Sequence, residues 1–228
     1  MAAERLRRIL GELYGRGAPA ARLCEVSTSI IGLSGTGIML MSGDIPQGSL
    51  CTTNDVSALI EDLQYTLGEG PCVDAYRHDR AVLEPDLADP VERRWPAFAP
   101  AAVDAGVRAV FGFPLRVGVA RLGAVNLYRD RPGPLSDDQH ADALVLAGVA
   151  AQWVLDVQAG ASEGALAGGL EDGADFHYVV QNAAGMVSVQ LGVGVTEALI
   201  RLRAYAFSQN RPLGEVARDV VARAVRLE

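Results

Sequence analysis

The chain reads as an α+β protein: alternating strands and helices over residues 1–158, a Gly/Ala-rich stretch over 159–173, and three short helices over 174–228. Three observations lead there. Period-2 apolar runs bounded by turn residues alternate with period-3.6 runs through the first part. In the second, Gly160, Gly164, Gly168, Gly169 and Gly173 fall among alanines and acids, a composition that gives a hinge or frayed connector and not a rigid rod. The third holds amphipathic helices whose short links make a compact bundle.

Taken in order, residues 2–14 are expected to be helical, followed by a turn at Gly15-Arg16-Gly17 and a second helix over 19–33 bearing Leu23, Val26 and Ile30. Residues 35–42 alternate as a strand with Met39 and Met41 on one face, and 48–53 pair with it across Gly43-Asp44-Ile45-Pro46. Asp55 caps a helix through Leu67. The Gly-rich loop Gly68-Glu69-Gly70-Pro71-Cys72 then leads to a short helix over 73–76, a strand near 81–83 and a helix over 95–105. Strands over 109–117 and 121–128 are joined by a turn containing Gly118, and Ser136-Asp137-Asp138-Gln139 is a capping box opening a long helix to about Gln158.

The C-terminal helices follow from their stripes. Phe176, Val179, Val180, Ala183, Met186, Val187 and Leu191 recur at three-and-four spacing, and Gly192 ends that helix with left-handed geometry. A mid-helix glycine costs roughly 1 kcal/mol against alanine, so Gly185 implies close approach of a neighbouring helix or a ligand, packing being the expected cause. The second helix, capped near Thr196, turns Ala198, Leu199, Leu202, Tyr205 and Ala206 inward. Its outward Ile200, Ala204 and Phe207 leave it apolar on every side, so it is central in a bundle or part of a subunit contact. The third starts with Pro212 in its first turn and buries Leu213, Val216, Val220, Val221, Ala224 and Leu227.

Composition limits the function. The 228 residues carry a formal net charge of −8, which disfavours whole-protein attraction to polyanions, so nucleic-acid binding needs a local patch. Over 174–228 six arginines face five acids, a balance of +1. All twenty basic residues are arginine. Cys24, Cys51 and Cys72 form no CxxC and are odd in number, which fits a reduced cytoplasmic setting. The N-terminus has no apolar signal region, and the apolar run from Ala143 to Leu155 is too short to span a bilayer, so no membrane partner is expected.

Catalytic constellations are largely missing. His78, His140 and His177 are scattered, Gly35-Thr36-Gly37 precedes a strand instead of opening a helix, and Asp137-Asp138 suits a helix N-terminus. No metal site and no cofactor attachment signal is found, and no enzyme is expected. Cys72 is the one residue with chemistry to weigh. A thiol opening a helix after a Gly/Pro loop is placed for a lowered pKa, against which stands the plainer role of a small apolar plug, the expected one.

Leu67-Gly68-Glu69-Gly70-Pro71-Cys72, Phe113-Pro114-Leu115 and Leu122-Gly123-Ala124-Val125-Asn126-Leu127-Tyr128 followed by Leu135-Ser136 resemble the GAF family over residues 22–158. The resemblance implies a GAF-like antiparallel sheet flanked by helices on both sides, enclosing a small ligand whose identity stays unknown. If the fold holds, Met39, Met41, Cys72, Trp95, Phe111 and Phe113 line one side of the sheet as ligand-binding residues. Some GAF proteins reduce methionine sulfoxide with cysteines in this region, which gives Cys72 a redox alternative.

Ala183-Ala184-Gly185-Met186, Gly192-Val193, Glu197-Ala198-Leu199, Leu202-Arg203-Ala204-Tyr205-Ala206, Asn210-Arg211-Pro212-Leu213 and Val216-Ala217 resemble the ANTAR family of antitermination modules. This implies an ANTAR-like RNA-binding bundle over 174–228, with paired RNA hairpins as partner, the RNA polymerase complex reached indirectly and a homodimer as the working form. Carried over by position, Ala183, Gly185, Arg203, Tyr205 and Arg211 are the RNA-binding candidates. Family members often carry a basic residue where this chain has Ala184 and another near Gln190, which lowers the electrostatic share of affinity here. Three functions follow: an RNA-binding antiterminator, a degenerate module kept for dimerisation or protein contact, and a GAF-type redox enzyme.

Overall fold

The computed structural model describes residues 2–14, 20–42, 45–89, 94–160, 171–209 and 211–227, with side chains at 2, 14, 20, 21, 45, 157–160 and 171–177 excepted. They form two compact units, Met1–Leu170 and Glu171–Glu228. The first contains α1 (Ala2–Tyr14), α2 (Ala20–Ile31), β1 (Gly35–Ser42), β2 (Ile45–Thr52), α3 (Asp55–Leu67), α4 (Pro71–His78), β3 (Val82–Glu84), α5 (Phe98–Asp104), β4 (Ala109–Val117), β5 (Ala120–Arg129) and α6 (Asp137–Gly160). The second contains α7 (Glu171–Leu191), α8 (Val195–Ser208) and α9 (Leu213–Val221).

The strands pair antiparallel in the order β2-β1-β5-β4-β3. On one face Ile38, Phe111, Phe113, Val125 and Leu127 form a continuous core with Ile9 of α1, Leu23 of α2 and Leu146 of α6. Ala143, Ala147, Ala150 and Ala151 make the α6 stripe shallow, so this helix lies close against the strands. Leu146 is fully buried there, and truncating such a leucine to alanine costs about 2–5 kcal/mol.

Local chemistry sets the ends of these elements. The Gln139 N–H donates to Ser136 Oγ at 3.2 Å while the Ser136 N–H donates to Gln139 Oε1 at 3.1 Å, the expected capping box. Gln139 Nε2 also donates to the Ile31 carbonyl at 2.8 Å, tying α6 to the end of α2. Arg5 pairs with Asp138 and Asp142, and Arg8 with Asp142 at 2.6 Å, which fastens α1 along α6.

Several boundaries differ from expectation. Asn54, and not Asp55, caps α3: its Oδ1 accepts the Ser57 N–H at 2.9 Å and its own N–H donates to Ser57 Oγ at 2.9 Å. β2 begins at Ile45 because Pro46 sits on an edge strand, where a missing N–H costs no ladder bond. α4 begins at Pro71, and α5 begins at Phe98 because Trp95 takes a left-handed φ of 54° that helix cannot contain. The expected connector is shorter at both ends, since α6 runs to Gly160 and α7 starts at Glu171; residues 161–170 lie outside the described ones, as do the turn residues 15–17 and 43–44.

The cysteine expectation is corrected as well. Cys24 of α2 and Cys51 of β2 form a disulfide with Cα atoms 6.0 Å apart, leaving Cys72 as the free cysteine. Sequence spacing carries no sign of that approach. The bond also removes the odd cysteine count as an argument about compartment. No single described helix is long and apolar enough to cross a bilayer.

In the second unit Val180, Ala183, Ala184 and Val187 of α7 meet Ala198, Leu199, Leu202 and Ala206 of α8 and Leu213, Val216, Ala217 and Val220 of α9 as its buried core. Gly192, at φ 66°, ends α7 as expected, and Ser188 Oγ donates to the Val193 carbonyl at 2.6 Å across the turn. Gly194 and not Thr196 occupies the start of α8, without a side-chain cap. Val221 and Ala224 are exposed, contrary to expectation. The chain leaves the helix after Val221 through Arg223 at φ 59°, and Leu227 returns to the core from a non-helical tail.

Candidate functional site

A lane of three residues crosses the middle of the sheet: Gly37 of β1 pairs with Asn126 of β5, which pairs with Gly112 of β4. Interior glycines weaken strands and mark places where another group comes close, and both do so here. A Cβ on Gly37 would lie 2.6 Å from Glu61 Oε1, and one on Gly112 would lie 2.3 Å from the Pro71 carbonyl oxygen. The two glycines thus let α3 and α4 settle on this face, on either side of Asn126.

The stripe of α3 turned to the sheet is Ser57, Ile60, Glu61, Gln64 and Tyr65, the i, i+3, i+4, i+7 spacing of one helix face. Two of its members are strongly polar. Glu61 is 2% exposed and Gln64 and Asn126 are 0% and 1% exposed, a degree of burial that polar groups accept only with partners. Yet, among the described residues, neither Glu61 oxygen, nor Gln64 Nε2, nor either Asn126 amide atom has a hydrogen-bond partner. Gln64 Oε1 is engaged, accepting the Cys72 N–H at 2.7 Å. Burial pushes the Glu61 carboxyl up to about 8, with the charge of Asp62 pushing the same way; the Asn126 amide opposes it without meeting hydrogen-bond geometry. Glu61 is therefore a neutral acid at pH 7, able to donate or to ionise if a partner demands it.

The Gly-rich loop works as scaffolding for this face. Gly68 ends α3 at φ 68°, Gly70 precedes α4 at φ 132°, and Pro71 takes the first turn. Glu69 Oε1 accepts the N–H groups of Ala97 and Phe98 at 2.7 Å each, supplying the cap that α5 otherwise lacks. Trp95 donates its Nε1–H to Asp74 Oδ2 at 2.9 Å and stands edge-on to Phe98 with ring centroids 5.8 Å apart. These contacts hold its left-handed backbone, which costs about 1–3 kcal/mol.

The six expected ligand-binding residues divide. Met39 lies on the face of the glycine lane, two residues beyond Gly37 and opposite Ala124, and Met41, past an irregularity in the β1–β2 register, is buried as well. Cys72 and Trp95 belong to the helices covering that face. Phe111 and Phe113 do not: they pair with Leu127 and Val125 on the opposite face, and Phe113 meets His140 of α6 at 5.4 Å between ring centroids. The sheet is buried on both faces, so apolar residues alone did not distinguish them. Cys72 is fully buried, and burial first, then the proximity of Glu61, raises its thiol well above the usual range. A reactive thiolate needs the reverse. The one helix-start N–H at that residue is spent on Gln64, and the Cys24–Cys51 pair is bonded on the opposite side of the sheet.

The second unit also redistributes its candidates. Ala183 is fully buried in the three-helix core and is corrected as a contact residue; Ala184 is equally buried. Gly185 faces open space, with nothing within 4 Å of an added Cβ, so packing does not explain it. Arg203 and Tyr205 are half-buried on α8. Arg211 is held by Asp219 at 2.7 Å and approached by Glu215 at 3.8 Å. Among the described residues of this unit, Arg218, Arg223 and Arg226 make no ion pair and are exposed on α9 and the tail after it. Sequence reasoning passed over these three because they fall outside the family pattern it followed.

A five-stranded antiparallel sheet with helices packed on both faces defines the class of this α+β domain. The GAF domain family model matches residues 20–154, more than half of the chain, and the chain belongs to that family, a signal-sensing domain found in regulators and sensors. The GAF domain of a phosphoenolpyruvate-protein phosphotransferase from Coxiella burnetii is similar at 13% identity, over 69% of this chain and 95% of that one, with a TM-score of 0.53. The corresponding domain from Acinetobacter is similar at 13% identity, over 70% and 96%, with a TM-score of 0.50. Both likenesses concern the fold. No curated protein matches the chain.

Proposed function

We propose that the protein is a signal-responsive, RNA-binding transcription antitermination regulator, in which the GAF domain senses a small ligand and the ANTAR-like three-helix unit binds hairpin RNA. The RNA polymerase complex is reached indirectly, through the transcript. The observation that carries the sensing half is the set of buried, unpartnered polar atoms on Glu61, Gln64 and Asn126. Such atoms cost about 1–3 kcal/mol each when unsatisfied, and a guest that pairs with them recovers that cost. The reading assigns no catalytic step, in keeping with a buried, protonated Cys72.

The output half is supported by the sequence pattern over 183–217 and by the exposed Arg218, Arg223 and Arg226. Arg211, neutralised by two acids, contributes little to phosphate binding in this reading. A second reading, a helical unit kept for dimerisation or protein contact, is favoured by the 58% and 71% exposure of Ile200 and Phe207 on α8. The working form is a homodimer: α1, α2 and α6 border an apolar groove of about 420 Å³ lined by Leu6, Leu10, Leu13, Val149 and Trp153, a seam suited to a symmetric helical contact.

Thermal unfolding with a panel of small metabolites tests the sensing half, using wild type and Asn126→Leu. Leucine keeps the number and branching of the side-chain heavy atoms and removes two amide atoms that have no hydrogen bond among the described residues, so the variant should be at least as stable without ligand. A metabolite that raises the wild-type Tm should leave the variant unmoved. Equal stabilisation of both would remove the cluster as the sensing site.

A further inference from the structure

We propose that the cluster of Glu61, Gln64 and Asn126 takes a small ammonium cation, either the ammonium ion or the head of a primary amine, held by three acceptor oxygens. The proposal rests on the sensing role assigned above to the same site. The acceptors are Glu61 Oε1, Glu61 Oε2 and Asn126 Oδ1, contributed by α3 and β5 and all without a hydrogen-bond partner among the described residues. Two donors without a hydrogen bond among the described residues, Gln64 Nε2 and Asn126 Nδ2, belong to the same residues: the Gln64 side chain lies toward the Cys72 thiol and the Asn126 amide toward Glu61. Gln64 Oε1 already accepts one hydrogen bond, from the Cys72 N–H, and is not counted among the three.

Charge decides among guests. Among the described residues no arginine or histidine pairs with Glu61, so an ionised Glu61 has no counter-charge of its own. An anion would meet Glu61 with Asp62 behind it. A divalent metal needs several hard ligands, and among the described residues no group of three His, Cys, Asp or Glu is placed to hold one. A monocation rich in N–H donors supplies the missing charge and the missing hydrogen bonds together. Gly37 and Cys72 lie against Glu61 and, like the cluster itself, are buried, which limits the guest to small size.

Binding is coupled to a proton. With no cation present, burial keeps the carboxyl protonated up to about pH 8. The cation stabilises the carboxylate, and the proton leaves to solvent as the N–H···O contacts form. The other groups that bear on Glu61 are Asp62 on α3 and the Cys72 thiol on α4; β1 brings only Gly37, and β5 the uncharged Asn126. Affinity should therefore rise about tenfold per pH unit from near neutrality up to about 8.

Calorimetric titration of the full chain with ammonium chloride and methylammonium chloride tests this, near pH 7, in two buffers of different ionisation enthalpy. Potassium chloride at equal ionic strength is the control. The expected result is saturable binding of the amines, not of potassium, with close to one proton released per ion, and loss of binding in Glu61→Gln. An equal response to potassium, no proton release, or unchanged binding in Glu61→Gln would overturn the proposal. If amines fail while a neutral or anionic metabolite stabilises wild type and not Asn126→Leu, the amine assignment falls and the sensing role stands. If every guest, amines included, acts equally on wild type and on both variants, the two fall together.

Discussion

Replacing Glu61 by glutamine should stabilise the GAF domain, and the gain should grow with pH. The carboxyl is held at about 8 in the folded chain against an ordinary value of 4.5. Because the folded pKa is raised, its contribution is fully present below the unfolded value and is lost as pH rises through the folded one. Wild type therefore loses stability between about pH 4.5 and 8. At pH 7 the unfolded chain has ionised and the folded chain has not, a difference of about 3 kcal/mol at 1.36 kcal/mol per unit. Above pH 8 it approaches about 5 kcal/mol. Glutamine has the same shape and no titration, so the two proteins should match near pH 4.5 and separate above it. For a domain of this size, 3 kcal/mol is about 6–12 °C in Tm. Urea or thermal unfolding of both proteins across pH 5 to 8.5 reads the difference directly. Parallel stability curves would refute the burial of an unpartnered carboxyl at this position.

Two further outcomes are expected. Under native conditions near pH 7 thiol alkylation should label none of the three cysteines; denaturation should expose Cys72 alone, and reduction of the Cys24–Cys51 bond, which closes 27 residues of chain, should cost roughly 3–4 kcal/mol. Rapid native labelling of Cys72 would contradict its raised pKa and burial. Light scattering at micromolar concentration should report about twice the 24.0 kDa chain mass, with Leu6→Asp or Trp153→Glu in the apolar groove shifting it to the monomer. A monomeric wild type would remove the groove from the mechanism.

Much of the architecture was legible because local signals and tertiary contacts agree. The strand over 109–117, the Ser136 capping box and the left-handed Gly192 each carry their cause in adjacent residues. The face assignment failed for Phe111 and Phe113 because a sheet covered on both sides loses the alternation that tells one face from the other. The disulfide escaped because α2 and β2 meet only in the fold. The polar cluster did leave signs: Asn126 interrupts an apolar strand, Glu61 and Gln64 fall on an otherwise apolar helix stripe, and Gly37 and Gly112 sit inside strands. What sequence alone lacked was the register that brings them into one lane.

The output assignment is tested most directly by titrating the full chain against paired hairpin RNA at two salt concentrations. Three free arginines predict a log–log salt slope of about −2.1 to −2.7, or roughly 20–40-fold weaker binding between 50 and 200 mM salt. Substituting Arg218, Arg223 and Arg226 by alanine should flatten that slope, while Arg211→Ala should change it little. RNA binding that survives the triple substitution with its slope intact, or no binding at the lower salt, would contradict the RNA-binding account and leave the helical unit as a protein contact.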